Sequence, residues 1–460
     1  MLMANIPNRL WTDILVPAFH TILNKISAET LNDWEICLSG ATNKHDSNRL
    51  KWLFTILMDE QKLSENSVEG AFSQAAYLKL LNKSIMQNWK LQELYGKIFG
   101  ILKHQINHPY NKVRHQISSI MATVLSMDIK YGENQNMGAN YPNLQEFLDF
   151  ATPKLSLNFH NPMLNGNENS METDQDQQND QKESDRVLET IALWITQFIQ
   201  STSVSVQQEM YLALPYLCQF VGNETGQEVS QTCLKSLCYL SVCITPAKSI
   251  NFALDMISKV SKSVSWKAKI SILEFTQTFV FTNFMSLCLH ENFVKQIENL
   301  IIGLMSDETL QVRSKATKIL CGLFHSQFID LNGQKRLLSH FRAKIRRKMQ
   351  KKSATKFKRE KAKNLQNLDK SELALYHSGI LGLCAMVEAY PYDVPECVPD
   401  ILVELEKHLH DPQPIPKTIK DCFQEFKRTH QDNWQEHKLK FSEDQLVVMT
   451  DLLISPNYYA

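Results

Sequence analysis

At 460 residues, the chain has room for two to four ordinary domains or one extended repeat array. Its 49 basic and 49 acidic side chains cancel, so bulk charge selects neither a nucleic acid nor an anionic surface. Hydrophobic residues at 43% are enough for a continuous core, and 14 Gly and 15 Pro against 22 Phe and 16 Met favour helices over strands and turns.

The opening stretch, MLMANIPNRLW, lacks a basic region followed by an apolar one, and no apolar run reaches the ~18 residues of a membrane span. The expectation is an intracellular protein without a membrane partner. Residues 1–159 read as helical repeats. In NKVRHQISSIMATVLSM, Val113, Ile117, Ile120, Met121 and Val124 recur at three- and four-residue steps on one helical face. Residues 160–186 carry almost no large apolar side chains and an excess of acid, and are expected to form a disordered loop.

Repeats resume over 187–334. ETLQVRSKATKILCGLF places Val312, Ala316, Ile319, Leu320 and Leu323 at the same offsets as the earlier copy. In both copies a turn residue, His108 or Asp307, precedes a Val-Arg pair by five and six positions. SVSWKAKISILEFTQTF is a looser third copy, with Trp266 and Lys267 in the Val-Arg positions. Lys267 and Arg313 are 46 residues apart, within the ~40–47-residue period of HEAT helix pairs. The fold class is therefore all-α: a HEAT/ARM-like solenoid of stacked antiparallel helix pairs. Ten cysteines form no CxxC pair, and Cys233, Cys238 and Cys243 step around a helix rather than along one face. They read as small apolar core residues in a reducing compartment, in preference to zinc or disulfide chemistry.

Residues 335–366 interrupt the array as a basic insertion. From Lys335 to Lys363 there are 14 Lys/Arg and one acid, Glu360. The centre, KIRRKMQKK, presents Lys344, Arg346, Arg347, Lys348, Lys351 and Lys352. It reads as a solvated linker or helix face, or as a nuclear localisation signal, and import is the favoured reading. Direct nucleic-acid binding would suit the charge, but Phe341 and Phe357 are the only rings available for stacking.

Residues 367–454 return to helical repeats: Leu373 to Val387, Val398 to His410, Lys417 to about Thr429, and a last helix capped by Ser442. Proline-rich turns, PYDVP and DPQPIP, separate them. His430 and His437 in HQDNWQEH are either a metal site with Asp432 and Glu436 or a polar network around Trp434, the latter preferred. His408 and His410 read as the end of a solvated helix. No GxSxG, phosphate loop, HExxH or clustered carboxylates support an enzyme.

Residues 455–460, SPNYYA, form a tail. With Ala460 as the chain end, its carboxylate is suited to pair with a Lys ammonium in a partly desolvated pocket. Tyr459 is suited to bury its ring while its hydroxyl bonds a backbone group, and Tyr458 supplies apolar anchoring.

The stretches PYDVP (391–395), HLHDPQPIPKTIKDCFQEFKRTHQDNWQEHK (408–438) and FSEDQLVVMTDLLISPNYYA (441–460) resemble the proteasome activator complex subunit 4 family. These are large single-chain HEAT-repeat caps of the 20S proteasome. A weaker collinear likeness runs from Asn107 to Phe341, and the whole resembles the C-terminal part of such a cap. The resemblance implies an ATP-independent, non-enzymatic activator of nucleus and cytoplasm. It implies that Tyr458, Tyr459 and Ala460 dock between 20S α-ring subunits and favour gate opening. It further implies a bromodomain-like segment at about 265–340 that recognises acetylated core histones, with a family Asn-Phe pair falling at Gln327-Phe328. Gln keeps the carboxamide but is one methylene longer. Inositol phosphates bind basic openings in such caps, though no residue here can be matched to them; no other cofactor is implied. The alternative, from periodicity alone, is a HEAT-repeat nuclear transport receptor or scaffold.

Overall fold

The computed structural model describes residues 6–23, 30–42, 49, 54–57, 68–86, 92–131, 141–156, 171–202, 205–221, 227–350 and 370–453. Every regular element among these residues is helical. The chain divides into two compact units, Met1–Ser249 and Ile250–Ala460.

The longer helices of the first unit are α1 (Leu31–Thr42), α2 (Val68–Met86), α3 (Gln92–Leu102), α4 (Asn111–Tyr131), α5 (Leu144–Ser156), α6 (Met171–Ser201) and α7 (Gln227–Ser241). Helix α4 packs between α2 and α6, and α6 packs on α7. The stripe read from sequence is the reason: Val113, Ile117, Ile120, Met121 and Val124 are all fully buried. Arg114 closes the turn before α4. Its Nη1 donates to the carbonyls of His108 and Pro109 at 2.7 and 2.9 Å, and Nη2 donates to the Glu189 carboxylate on α6.

The loop expected at 160–186 is helical from Met171 onward, since α6 begins there. Glu, Gln and Lys are good helix formers even without apolar neighbours. The buried face starting at Val187 secures the helix, and extending an existing helix is far easier than nucleating one. Asn107 donates to Glu183 at 2.6 Å, tying part of the polar stretch down.

The second unit contains α8 (Ala247–Ser261, whose first turn holds the division), α9 (Trp266–Thr282), α10 (Glu291–Leu304), α11 (Leu310–His325), α12 (Leu331–Gln350), α13 (Lys370–Glu388), α14 (Cys397–Glu406), α15 (Ile415–His430) and α16 (Glu443–Leu453). Helix α13 is the hub, packing on α11, α12, α14 and α15. Gly379 and Gly382 make room for α12: a Cβ on Gly382 would stand 2.4 Å from the Phe341 ring, and one on Gly379 2.8 Å from Ile345 Cγ1.

Helix α11 repeats the device of α4. Val312 is fully buried, and Arg313 Nη1 donates to the carbonyls of Asp307 and Glu308 at 2.6 and 2.9 Å. The third copy sits two residues later than the sequence pattern suggested. Trp266 is 41% exposed, whereas Ala268, Ile272, Phe275, Thr276 and Phe279 fill the buried offsets. Lys269, four residues into α9 as Arg313 is into α11, then pairs with Asp307 at 2.6 Å. Ser265, not an earlier residue, caps α9 by accepting from the Ala268 N–H at 3.3 Å, and that cap sets the register.

The basic insertion is also corrected in its first half. Lys335 to Gln350 belongs to α12, whose Leu337, Phe341 and Ile345 are buried against the hub. These three recur at four-residue steps, a helical stripe that the density of cations hid. The helix expected over Val398–His410 stops at Glu406, and His408 is buried, not solvated. Its Nδ1 lies 2.8 Å from Asp411 Oδ2, and the Tyr376 hydroxyl donates to the same carboxylate at 2.5 Å.

Candidate functional site

Tyr458, Tyr459 and Ala460 lie outside the described residues, as do Lys351 and Lys352. What the structure shows is the base from which the tail departs. Ser442 and Gln445 form a reciprocal capping box at the start of α16: Gln445 N–H donates to Ser442 Oγ at 3.3 Å, and Ser442 N–H to Gln445 Oε1 at 2.9 Å. Gln445 Nε2 also donates to Asp400 on α14 at 2.8 Å. Just upstream, Lys440 Nζ reaches Asp393 in the PYDVP turn at 2.5 Å. Helix α16 packs on α14 and α15, and its start is held by the cap, by the Asp400 hydrogen bond and by the Lys440 pair just before it. That exposed Lys440 pair lowers the Asp393 carboxyl from its ordinary value, chiefly through the hydrogen bond.

The histidines of HQDNWQEH do come together. His430 and His437 ring centroids are 5.0 Å apart, and both rings are buried. His430 Nε2 faces the Asp393 carbonyl at 3.1 Å, and its ring stacks on Phe426 at 4.1 Å. Asp432 and Glu436 are exposed, and among the described residues no group is arranged to hold a metal. The cluster is the network that fixes the PYDVP turn to the end of α15, with Trp434 packed on Phe441 at 5.7 Å. Burial first, and then the His430 charge, lower the His437 pKa.

Gln327 and Phe328 follow α11 at its stop. Phe328 is 3% exposed and meets Phe284 edge-on at 5.6 Å. Gln327 is exposed and holds φ 57°, a left-handed conformation that side chains other than Gly, Asn and Asp seldom adopt. Both line a groove of about 700 Å³ with Cys288, Glu298, Asp330 and Arg336. Arg336 pairs with Glu298 there at 2.6 Å. The positive φ at Gln327 is a feature no sequence pattern announced.

The basic run divides by environment. Arg346 is exposed, while Lys344 is half-buried and bonded to two serine hydroxyls. Arg347 and Lys348 are on the last turn of α12. No helix among the described residues is long and apolar enough to cross a membrane.

Residues 373–460 match the family described as "Proteasome activator complex subunit 4-like, C-terminal", and residues 6–83 match "Proteasome activator complex subunit 4-like, HEAT repeat-like". Proteasome activator complex subunit 4A of Danio rerio is 32% identical over 465 residues, covering 98% of this chain and 24% of the relative. Proteasome activator complex subunit 4 of Homo sapiens is 31% identical over 462 residues, with the same two shares. The chain thus spans 24% of the length of these curated relatives. Among solved structures, a match to an importin beta crystal structure covers 97% of this chain and 52% of that one, at 11% identity and TM-score 0.37. Along nearly its whole length, this chain, helical in every regular element among the described residues, is similar to proteasome activator complex subunit 4 and fits a C-terminal portion of it.

Proposed function

We propose that this chain is the proteasome-facing portion of an ATP-independent, non-catalytic proteasome activator. It docks on the α-ring of the 20S particle through Tyr458, Tyr459 and Ala460 and favours opening of the gate. The observation that carries this reading is the family match over 373–460, which runs through the tail to Ala460. The capped and tethered start of α16 supports it, because a ligand delivered from an anchored helix loses less freedom on binding.

The test is binding of the purified chain to 20S particles, with fluorogenic peptide hydrolysis read in parallel. Tyr459→Ala removes a ring and its hydroxyl bond, an expected loss of about 2 kcal/mol, or some thirtyfold in affinity. One residue added after Ala460 moves the carboxylate by ~3.5 Å and should weaken binding without altering any side chain. Undiminished binding of the extended chain would overturn the tail mechanism.

Two further assignments accompany this reading. Arg346, Arg347 and Lys348, with Lys351 and Lys352, direct nuclear entry, so that the protein works in nucleus and cytoplasm. A tagged Arg346/Arg347/Lys348→Ala chain that still concentrates in nuclei would refute that. Gln327 and Phe328 contribute a contact to acetyl-lysine of core histones; equal affinity for acetylated and unmodified histone peptides would leave Phe328 as core alone.

A further inference from the structure

Lys344 is counted by its sequence context among the surface cations, yet α12 carries it into the contact with α13. Its Nζ lies 3.2 Å from Ser306 Oγ, in the turn between α10 and α11, and 3.1 Å from Ser378 Oγ on α13. Ser306 donates its proton to Ser378 at 3.1 Å, and Ser378 donates its own to the Leu375 carbonyl at 2.7 Å. Both hydroxyl oxygens therefore turn lone pairs toward the amine. The stem passes over the bare face of Gly379, where an added Cβ would sit 3.4 Å from Lys344 Cβ.

Three other cations of this unit are charge-paired. Arg342 reaches Glu404 at 2.7 Å, Arg336 reaches Glu298 at 2.6 Å, and Lys269 takes Asp307 at 2.6 Å. Lys344 has only hydroxyls as hydrogen-bond partners among the described residues. Burial without a counter-charge disfavours the ammonium and pushes its pKa down to about 8. A neutral amine has two N–H bonds and one lone pair. Two acceptors at 3.1 and 3.2 Å match the two N–H bonds and leave the lone pair as the remaining direction.

We propose that Lys344 is a nucleophilic amine and an acylation site that accepts a small acyl group from an acyl thioester. The Nζ lone pair forms the new C–N bond at the thioester carbonyl and the C–S bond breaks. The departing thiolate takes up the proton released by nitrogen, so amine and thioester give amide and thiol. The product amide keeps one N–H. It can serve only one of the two serines, and acylation loosens α12 from its neighbours.

The experiment is incubation of the purified full chain with acetyl-coenzyme A alone between pH 6.5 and 9.5, with each lysine followed by peptide mass spectrometry. Lys344 is expected to acetylate at least about tenfold faster than the exposed Lys262 and Lys335 at pH 7.5. Its rate should rise through an inflection near pH 8, and the preference should vanish in the urea-unfolded chain. A Lys344 rate no greater than that of the exposed lysines in the folded chain overturns the proposal. So does a preference that persists in urea, which would make it a property of local sequence.

Discussion

The repeats opened by Val113-Arg114 and Val312-Arg313 use one device with two different partners. In each, the guanidinium Nη1 gathers the two carbonyls of the preceding turn, at 2.7 and 2.9 Å in the first and 2.6 and 2.9 Å in the second. The rest of the guanidinium looks to a following helix, and there the repeats diverge. Arg114 meets the carboxylate of Glu189, with both side chains buried. Arg313 Nε meets the neutral Nδ1 of His377 at 3.2 Å. His377 Nε2–H is then left to donate to Thr418 Oγ1 at 2.9 Å, which fixes the ring's tautomer. The turn clamp is local and belongs to the motif, whereas the compensating group is chosen by whichever helix packs next. One repeat is stabilised by a buried ion pair, the other by a chain of neutral acceptors that holds a cation.

The largest effect should come from removing those partners in parallel. Glu189→Ala leaves a buried cation with no counter-charge and is expected to cost about 3–5 kcal/mol. His377→Ala leaves one donor short and should cost about 1–3 kcal/mol. Urea unfolding, with hydrogen exchange read separately on α4 and α11, measures both. Equal losses would mean that the carboxylate acts only as an acceptor, and the distinction between the repeats would collapse.

Acid should sharpen the same contrast. Burial, and after it the Arg313 charge, hold His377 down to about 3 from an ordinary 6.5. The unfolded ring takes up a proton below pH 6.5 while the folded ring stays neutral. The second unit therefore loses stability from this group as pH falls from 6.5 toward 3, by at most about 1.4 kcal/mol per pH unit. His377→Gln keeps an acceptor for Arg313 and a donor for Thr418 without the titration, so its stability should fall less between pH 7 and pH 5. An unchanged pH slope would remove His377 as its cause.

The smallest effect tests the third copy. If Ala268 and Lys269 occupy the Val-Arg positions, Trp266→Ala alters a partly exposed ring outside the buried stripe and should cost about 1 kcal/mol or less. A loss of several kcal/mol by thermal unfolding would restore the register in which Trp266 is core.

Much of the architecture is legible in the sequence alone. The stripes from Val113 and Val312 were legible because burial on a helix face imposes a three-and-four spacing that survives in one dimension. The capping box at Ser442 was legible because its donors and acceptors lie within four residues. The polar stretch 171–186 was misread because composition measures the lack of a core, while helix there is inherited from the buried turns of α6 that follow. Lys344 was misread for a related reason: charge density gave the run one character, but Phe341 and Ile345 set a face, and α13 decided which cation lies beneath it.

What the sequence by itself determined about this protein is therefore local and periodic: helices, their caps and the repeat device. What only the tertiary structure decided is pairwise and distant. Glu189 is 75 residues from Arg114, His377 is 64 from Arg313, and Ser306 and Ser378 lie 38 and 34 from Lys344. A helix's own sequence fixes which of its faces must be buried. The partner that meets a buried charge depends on how separate helices stack, and no spacing within one helix encodes that.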